Sequence, residues 1–180
     1  MSKVSEIGVF AVPVPRRTAD IAKMLEGAGF GTLLFPDSQN LAPEVWGQLM
    51  LAAKATTRAK LGPGVTNSVT RDPAVTASAA LALQVESDGR AILGIGRGDS
   101  AVQRIGKRED PVASFERYLE SVQAYLSGKS IDRDGFASSL EWLPRVKARP
   151  RASGRRAHSV SYQPPIGGVE SQGRSQVSIP

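Results

Sequence analysis

Short apolar runs alternate with amphipathic stretches along the first 145 residues of the chain. Positions 7–12, 32–35 and 91–95 are mostly apolar, and 61–66 is a similar run interrupted by glycine and proline. Runs of this length are typical of buried β-strands. Apolar residues recur at helical spacing between and after them, so the pattern predicts four strand–helix units with a period of roughly 25–30 residues.

Residue types that favour helix ends mark the bounds of these helices. Thr18 and Asp72 are predicted N-caps, and Asp110-Pro111 repeats the start seen at Asp72-Pro73. Glycines predicted to end helices stand at Gly29, Gly89 and Gly128. The predicted buried faces are Ile21, Met24, Leu25 and Ala28; Val45, Leu49, Ala52 and Ala53; and Val112, Phe115, Leu119, Val122 and Leu126.

Strands that are buried on both faces and separated by helices indicate an α/β fold with a parallel sheet. Two architectures fit this pattern, an open doubly wound sheet or part of a (β/α)₈ barrel. A complete barrel needs about 250 residues. A chain of 180 residues has room for about half of one.

The amino-acid composition of the sequence changes near residue 144. Residues 1–146 carry the repeating units, whereas 147–180 are rich in Ser, Gly, Arg, Gln and Pro, without a helical stripe. We therefore expect one domain followed by a basic, disordered tail. The net charge of +6 lies largely in this late region, where basic residues are not interleaved with aromatic ones, so we expect a solvated tail rather than a nucleic-acid surface.

The amino-acid composition limits the kinds of catalytic and metal-binding site that the chain can form. Without cysteine, disulfides, thiolate metal sites and a cysteine nucleophile are excluded. The sole histidine, His158, lies in the tail, and no cluster suggests a metal, so chemistry carried by a cofactor fits better than side-chain acid–base catalysis. No apolar run is long enough for a membrane span, and the N-terminus is not a secretory signal, so we expect a cytoplasmic protein.

Three segments follow predicted strands at the edge of the sheet where parallel α/β proteins carry their sites. Asp37 and Ser38 follow the second strand, and Gly62-Pro63-Gly64 interrupts the third. Glycine inside a strand favours a bulge or close approach to a ligand, although a plain bend is the alternative. For Asp37, ordinary turn chemistry is the alternative.

The third segment, Gly94-Ile95-Gly96-Arg97-Gly98-Asp99-Ser100, fits neither the dinucleotide fingerprint nor the Walker A loop. Its glycines could let the backbone approach an anion, with Arg97 and Ser100 as further donors. Alternatively, they relieve crowding in a barrel turn.

Taken together, GTLLFPDS, LGPGVTNSVTRDP, RAILGIGRGDSAV and PVASFERYLESVQAYLSG resemble the luciferase-like monooxygenase superfamily of flavin- and deazaflavin-dependent oxidoreductases. The resemblance covers about residues 5–145 and favours the methylenetetrahydromethanopterin reductase-like branch. It implies the N-terminal half of a TIM barrel, with four β/α units. It also implies FMN or a deazaflavin coenzyme at the C-terminal mouth of the strands, serving hydride transfer to a small molecule or oxygenation.

The resemblance also implies residue roles. It places a non-proline cis peptide at Gly64-Val65, behind the cofactor ring, and an acid near ring and substrate at Asp37. The remaining cofactor-binding residues that it implies are Thr66, Asn67, Gly96, Arg97, Gly98, Asp99 and Ser100. Where many relatives carry a histidine after the second strand, Ser38 and Gln39 stand here, so no histidine acid is assigned.

After Trp142-Leu143-Pro144-Arg145-Val146 the resemblance stops, although relatives continue through four more units. This predicts a truncated or frameshifted gene product. An open half barrel would aggregate, pair with another half as a homodimer, or fold only marginally. The alternative function is therefore an inactive remnant or an interaction module without catalysis.

Overall fold

A computed structural model describes residues 7–142 of the chain, so the predicted tail lies outside the described residues. The elements in chain order are β1 (Gly8–Phe10), α1 (Thr18–Gly27), β2 (Thr32–Phe35), α2 (Val45–Ala55), β3 (Lys60–Pro63), β4 (Thr66–Asn67), α3 (Pro73–Glu86), β5 (Ile95–Gly96), α4 (Ser100–Gln103), α5 (Val112–Leu126), β6 (Ile131–Arg133) and β7 (Phe136–Ser138).

The parallel strands follow one another across the sheet in chain order. β1 pairs with β2, β2 with β3, and β4 with β5, and a bridge from Leu61 to Ala91 joins the third unit to the fourth. Since strand–helix–strand crossovers are right-handed, a sheet that advances in one direction carries all its helices on one face. Consistently, α1 contacts α2, α2 contacts α3, and α3 contacts α5. This is the arrangement of a barrel wall rather than of a doubly wound sheet.

The core lies between this wall and its helices. Its fully buried members include Leu33, Phe35, Leu49, Leu61, Leu83, Val122 and Tyr125. On the other side of the sheet, Phe10 in β1 is 56% exposed, and Val12, two residues after β1, is 55% exposed. None of the helices within residues 7–142 is both long and apolar enough to cross a membrane.

Most predicted helix ends are confirmed. Asp72 accepts a hydrogen bond from the Ala74 amide at 2.9 Å as the N-cap of α3. Gly29, Gly89 and Gly128 all adopt the positive φ that glycine tolerates best. The face predicted for α2 is also confirmed, because its four members are buried.

Two predicted caps are wrong because each side chain bonds a group outside the helix that it was predicted to cap. Thr18 lies inside α1, where its hydroxyl donates to the Val14 carbonyl oxygen at 2.9 Å. The Asp110 carboxylate accepts a hydrogen bond from Ser68 at 2.7 Å, and α5 begins after Pro111 instead.

The predicted faces of α1 and α5 are wrong in part. Met24 is 63% exposed, and α1 buries Thr18 and Ala22 instead. Val112 is exposed at the start of α5, whereas the tyrosines Tyr118 and Tyr125 are buried and were not predicted. Apolar residues spaced three or four apart identify one side of a helix, but they do not determine which residues at the margins of that side are buried against the sheet.

The predicted fourth strand, 91–95, is found as β5 (Ile95–Gly96), and the short helix α4 (Ser100–Gln103) that follows it was not predicted. Two further features were not predicted. The predicted third strand is two short strands, β3 and β4, on either side of Gly64-Val65. After α5 the chain forms the antiparallel β6–β7 hairpin, whose turn holds Asp134 and Gly135 at positive φ. The Asp-Gly pair is a strong hairpin feature that would have revealed it.

Candidate functional site

The candidate site lies where the parallel strands end. Asp37 follows β2, Thr66 and Asn67 form β4, and Arg97 follows β5. Thr66 and Asn67 pair directly with Ile95 and Gly96. The topology therefore brings the predicted segments to one edge, as expected for a parallel sheet.

Asp37 is the centre of a hydrogen-bonded network. It is only 3% exposed, and its Oδ2 accepts from the Thr66 hydroxyl at 2.7 Å and from Arg71 Nε at 3.3 Å. Its Oδ1 accepts from Gln39 Nε2 at 2.8 Å. Three donors from two loops and one strand fix the orientation of this carboxylate, as buried charged groups require.

Arg71 extends the network to the start of α2. Its Nη2 lies 2.6 Å from Glu44 Oε1, while Glu44 caps α2 by accepting from the Trp46 and Gly47 amides. Burial alone would raise the pKa of Glu44, but the amides of Gly47 and Trp46 and the Arg71 guanidinium outweigh it and hold that pKa below its ordinary value. A cleft of about 440 Å³, lined by Asp37, Gln39, Glu44 and Arg71 among others, opens beside these groups.

Arg71 was missed in the sequence analysis. It stands one residue before the Asp72 cap, in a loop that leaves the same sheet edge as Asp37. A charged residue at that edge, just before a predicted helix, was the available indication. Its partners could not be predicted, since they come from two other loops.

The peptide bond between Gly64 and Val65 is cis, so this prediction is confirmed. Neighbouring strands hold the bulge on both sides, because the Gly64 amide donates to Phe35 and the Thr66 amide donates to Gly94, at 2.8 and 3.0 Å. A Cβ at Gly64 would lie 2.8 Å from the Leu34 Cβ. The bulge at Gly64-Val65 is therefore held in place by hydrogen bonds to both neighbouring segments and by close packing against Leu34.

The bulge also explains two of the alternate glycines. A Cβ at Gly94 would lie 2.7 Å from the Pro63 carbonyl oxygen, and one at Gly96 would lie 3.1 Å from the Val65 side chain. Both distances are closer than normal packing allows. The alternative in which glycine relieves crowding therefore accounts for Gly94 and Gly96 without an anion.

Asn67 carries a buried donor that lacks a partner among the described residues. The residue is 2% exposed, and its Oδ1 accepts from the amides of Val69 and Thr70 at 3.1 and 2.9 Å. Its Nδ2 is buried without a hydrogen bond. An unpaired buried amide is unfavourable by about 1–3 kcal/mol, so this position suits a ligand acceptor or a bound water.

The residues after β5 are placed differently from one another. Arg97 is half-buried and bonded to Glu109 and Asp110. Asp99 and Ser100 are exposed, and the Ser100 hydroxyl donates to Asp99 Oδ1 at 3.0 Å. Within the described residues, His, Cys, Asp and Glu side chains nowhere gather in a group of three or more that could hold a metal ion.

Comparison with known proteins places this geometry in a family. A sequence profile described as luciferase-like monooxygenase matches residues 2–172, which extends beyond residue 145. The 5,10-methylenetetrahydromethanopterin reductase of Methanolobus tindarius is 36% identical over 121 residues, which cover 66% of this chain and 37% of that protein. This chain thus spans less than half the length of that relative.

Solved structures of other proteins are similar to the described part of this chain. The coenzyme F420-dependent tetrahydromethanopterin reductase of Methanopyrus kandleri superposes with a TM-score of 0.64 at 30% identity, over 74% of this chain and 44% of that one. The oxygenating constituent of 3,6-diketocamphane monooxygenase of Pseudomonas putida, solved in complex with FMN, has a TM-score of 0.61 at 17% identity, over 77% and 45% of the two chains, which shows the fold alone. The described residues form the first four β/α units of a TIM barrel, and the chain belongs to the luciferase-like monooxygenase family.

Proposed function

We propose that this chain contributes one wall of the cofactor mouth of a flavin- or deazaflavin-dependent oxidoreductase that acts on a small molecule. The observation that carries the proposal is the network around Asp37. It joins a buried carboxylate to Thr66, the residue directly after the cis peptide, at the mouth of the strands. The similarity to methylenetetrahydromethanopterin reductases supports the same reaction class.

The residues at the mouth fit a flat polar ring. Gly64 and Val65 would lie behind the ring. Asn67 Nδ2 would donate to a ring carbonyl, because no described residue accepts a hydrogen bond from it. Thr66 would keep Asp37 turned toward the mouth. Such a cofactor, when bound, supplies hydride transfer or, as reduced flavin, oxygenation.

Asp37 is the proposed catalytic residue, and its partners define its task. Two of its donors, Thr66 and Gln39, are neutral, and the third, Arg71, is shared with Glu44. The carboxylate is therefore held rigidly beside the cleft, where it can orient a polar group of the substrate. Gly96 in β5, and Gly98, Asp99 and Ser100 after it, would continue the same wall of the mouth next to β4.

The two cofactors have unequal support. The relative that shares 30% identity is described as coenzyme F420-dependent, and coenzyme F420 is a deazaflavin. The FMN-bound structure shares only 17% identity and supports the fold alone. Both remain in the proposal. Since its reaction would draw on a reduced coenzyme, we place the activity in the cytoplasm.

A titration decides between the proposed oxidoreductase and a chain without cofactor. The purified chain is titrated with FMN and, separately, with the deazaflavin coenzyme, and the absorbance spectrum is followed. We expect a shifted band with saturation below tens of micromolar for at least one of them. A wild-type chain that is folded and binds neither cofactor would contradict the proposal.

A different observation favours an interaction role. Exposed apolar side chains lie in and beside β1, where Ile7, Phe10, Val12 and Val14 are each at least 44% exposed. Edge strands with apolar faces tend to pair with other chains. We propose that copies of this 180-residue chain pair through this edge as a homodimer, with or without catalysis.

A further inference from the structure

Reciprocal hydrogen bonds join the two ends of the loop between β5 and α5. Arg97 Nε donates to the Asp110 carbonyl oxygen at 2.7 Å, and the Asp110 amide donates to the Arg97 carbonyl oxygen at 2.9 Å. Arg97 Nη2 lies 3.1 Å from Glu109 Oε1. We call this set of bonds, among Arg97, Glu109 and Asp110, the clasp.

The clasp is attached to the loop that follows β4. The Ser68 hydroxyl donates to Asp110 Oδ2 at 2.7 Å. Near the other end of the loop, Gly98 packs so tightly that a Cβ there would lie 2.8 Å from Val102 and 3.4 Å from Val69. The two ends of this loop, at Gly98 and Asp110, are therefore held beside Val69 and Ser68, which directly follow Asn67.

We propose that Arg97 is a positioning residue that holds residues 98–109 as a wall of the mouth, and that it does not bind a phosphate of the cofactor. Its guanidinium directs Nε and Nη2 to oxygens of its own loop. Because the guanidinium is a planar fork, turning it toward a ligand would break both contacts and open the loop. The inference rests on the proposed function for the identity of the ligand.

Flavins with and without a phosphate separate the two roles of Arg97. The dissociation constants of FMN and riboflavin, and of the deazaflavin coenzyme and its phosphate-free deazariboflavin core, are measured for wild type, Arg97→Gln and Arg97→Lys. The clasp predicts that both variants weaken each member of a pair by the same factor, about three- to tenfold. We expect Arg97→Lys to behave like Arg97→Gln, because lysine keeps the positive charge but lacks the planar guanidinium that makes both contacts.

Phosphate-selective loss would overturn the proposal. In that outcome Arg97→Gln weakens FMN but not riboflavin, and Arg97→Lys retains most of the affinity. The matched control is Arg117→Gln, which removes an exposed arginine from α5, outside residues 98–109, and should leave all four constants unchanged. Ser68→Ala is a milder second variant, and we expect it to weaken both members of a pair equally.

A second measurement keeps the clasp testable if wild-type chain binds no flavin, a result that would refute the proposed function alone. Hydrogen exchange of the Asp110 amide, which the Arg97 carbonyl oxygen protects, is compared in wild type, Arg97→Gln and Arg117→Gln. We expect about tenfold faster exchange in Arg97→Gln only. Unchanged exchange in that variant would overturn the clasp.

Discussion

At the scale of single residues, the site depends on side chains with more than one partner. Asp37 holds Thr66, Arg71 and Gln39 at once, and Asn67 uses its oxygen for the turn at Val69 and Thr70 while its nitrogen stays unpaired. The first residue is satisfied within the chain and the second is not. This difference makes Asn67 the sharper probe of ligand binding.

Substituting Asn67→Asp should separate the turn from the ligand. Aspartate still accepts from the Val69 and Thr70 amides, but it replaces the unpaired donor with an acceptor. The second carboxylate oxygen is buried without a donor, so we expect the free energy of unfolding in urea to fall by at least roughly 1–3 kcal/mol, and cofactor affinity, measured where the chain is folded, to fall about tenfold. Asn67→Ala, which loses both functions, is the control. Unchanged affinity in Asn67→Asp would show that Nδ2 does not face the ligand.

At the scale of elements, carbonyl oxygens at the ends of two helices share one cation. Arg90 donates to the carbonyl oxygens of Ala53 and Thr56, near the end of α2, and of Ser87, after α3. It also donates to Ala59 just before β3. The cation compensates the negative ends of both helix dipoles at the edge of the sheet opposite the site.

Removing this cation should destabilise the wall without changing the mouth. For Arg90→Gln we expect a loss of about 2–3 kcal/mol in the free energy of unfolding by urea. Arg58→Gln is the control, because that side chain makes one long, exposed contact at 3.4 Å with Glu26 and should change stability by less than 0.5 kcal/mol, roughly. Equal losses in both variants would rule out the shared role of Arg90.

The β6–β7 hairpin is tied to α3 by a pH-dependent pair. Arg133 donates to both oxygens of the Asp72 carboxylate, at 2.8 and 2.6 Å, and lowers the pKa of Asp72 below its ordinary value. A lowered folded-state pKa contributes stability above the unfolded pKa of about 3.9, and this contribution is lost as the pH falls through the folded pKa.

We therefore expect Arg133→Gln to destabilise the chain at pH 7 by less than about 1 kcal/mol, since the pair is partly exposed. The difference from wild type should shrink below about pH 4, as Asp72 takes up a proton. Urea unfolding of both proteins from pH 7 to pH 3 measures it. Arg117→Gln, on the outer side of α5, is the control, and a difference that stays constant with pH would contradict the assignment.

At the scale of the whole molecule, the described part of the chain is a wall with one covered face. Its helices bury the side of the sheet that holds Leu33 and Leu61, whereas Phe10 and Val12 on the other side stay exposed. The proposed cofactor mouth lies at the edge of this wall. Pairing through β1 would therefore bury apolar surface and enclose the mouth together.

Charge on the open face should abolish this pairing. We expect wild-type chain to sediment at twice its monomer mass and Phe10→Lys to sediment as a monomer, because burying an unpaired cation opposes association. Met24→Lys adds the same charge at an equally exposed apolar residue on α1 and should leave the dimer intact. A monomeric wild type would refute the homodimer.

The sequence by itself determined what depends on near neighbours. The four strand–helix units, the parallel sheet, the Asp72 cap and the glycines at three helix ends follow from spacing within a few residues and from φ preference. The edge that holds Asp37, Thr66 and Asn67 follows as well, because parallel strands end together. The family resemblance alone indicated the cis bond at Gly64-Val65.

The tertiary structure decided which partner each polar side chain takes. The sequence allows Asp110 to cap α5, but in the folded chain its carboxylate accepts a hydrogen bond from Ser68, 42 residues away, instead. Arg71 likewise finds its partners in other loops, Arg97 finds its partners at the far end of its own loop, and the cis bulge divides the third strand. Local patterns carry no information on such competition, because its outcome depends on distances set only when the wall has folded.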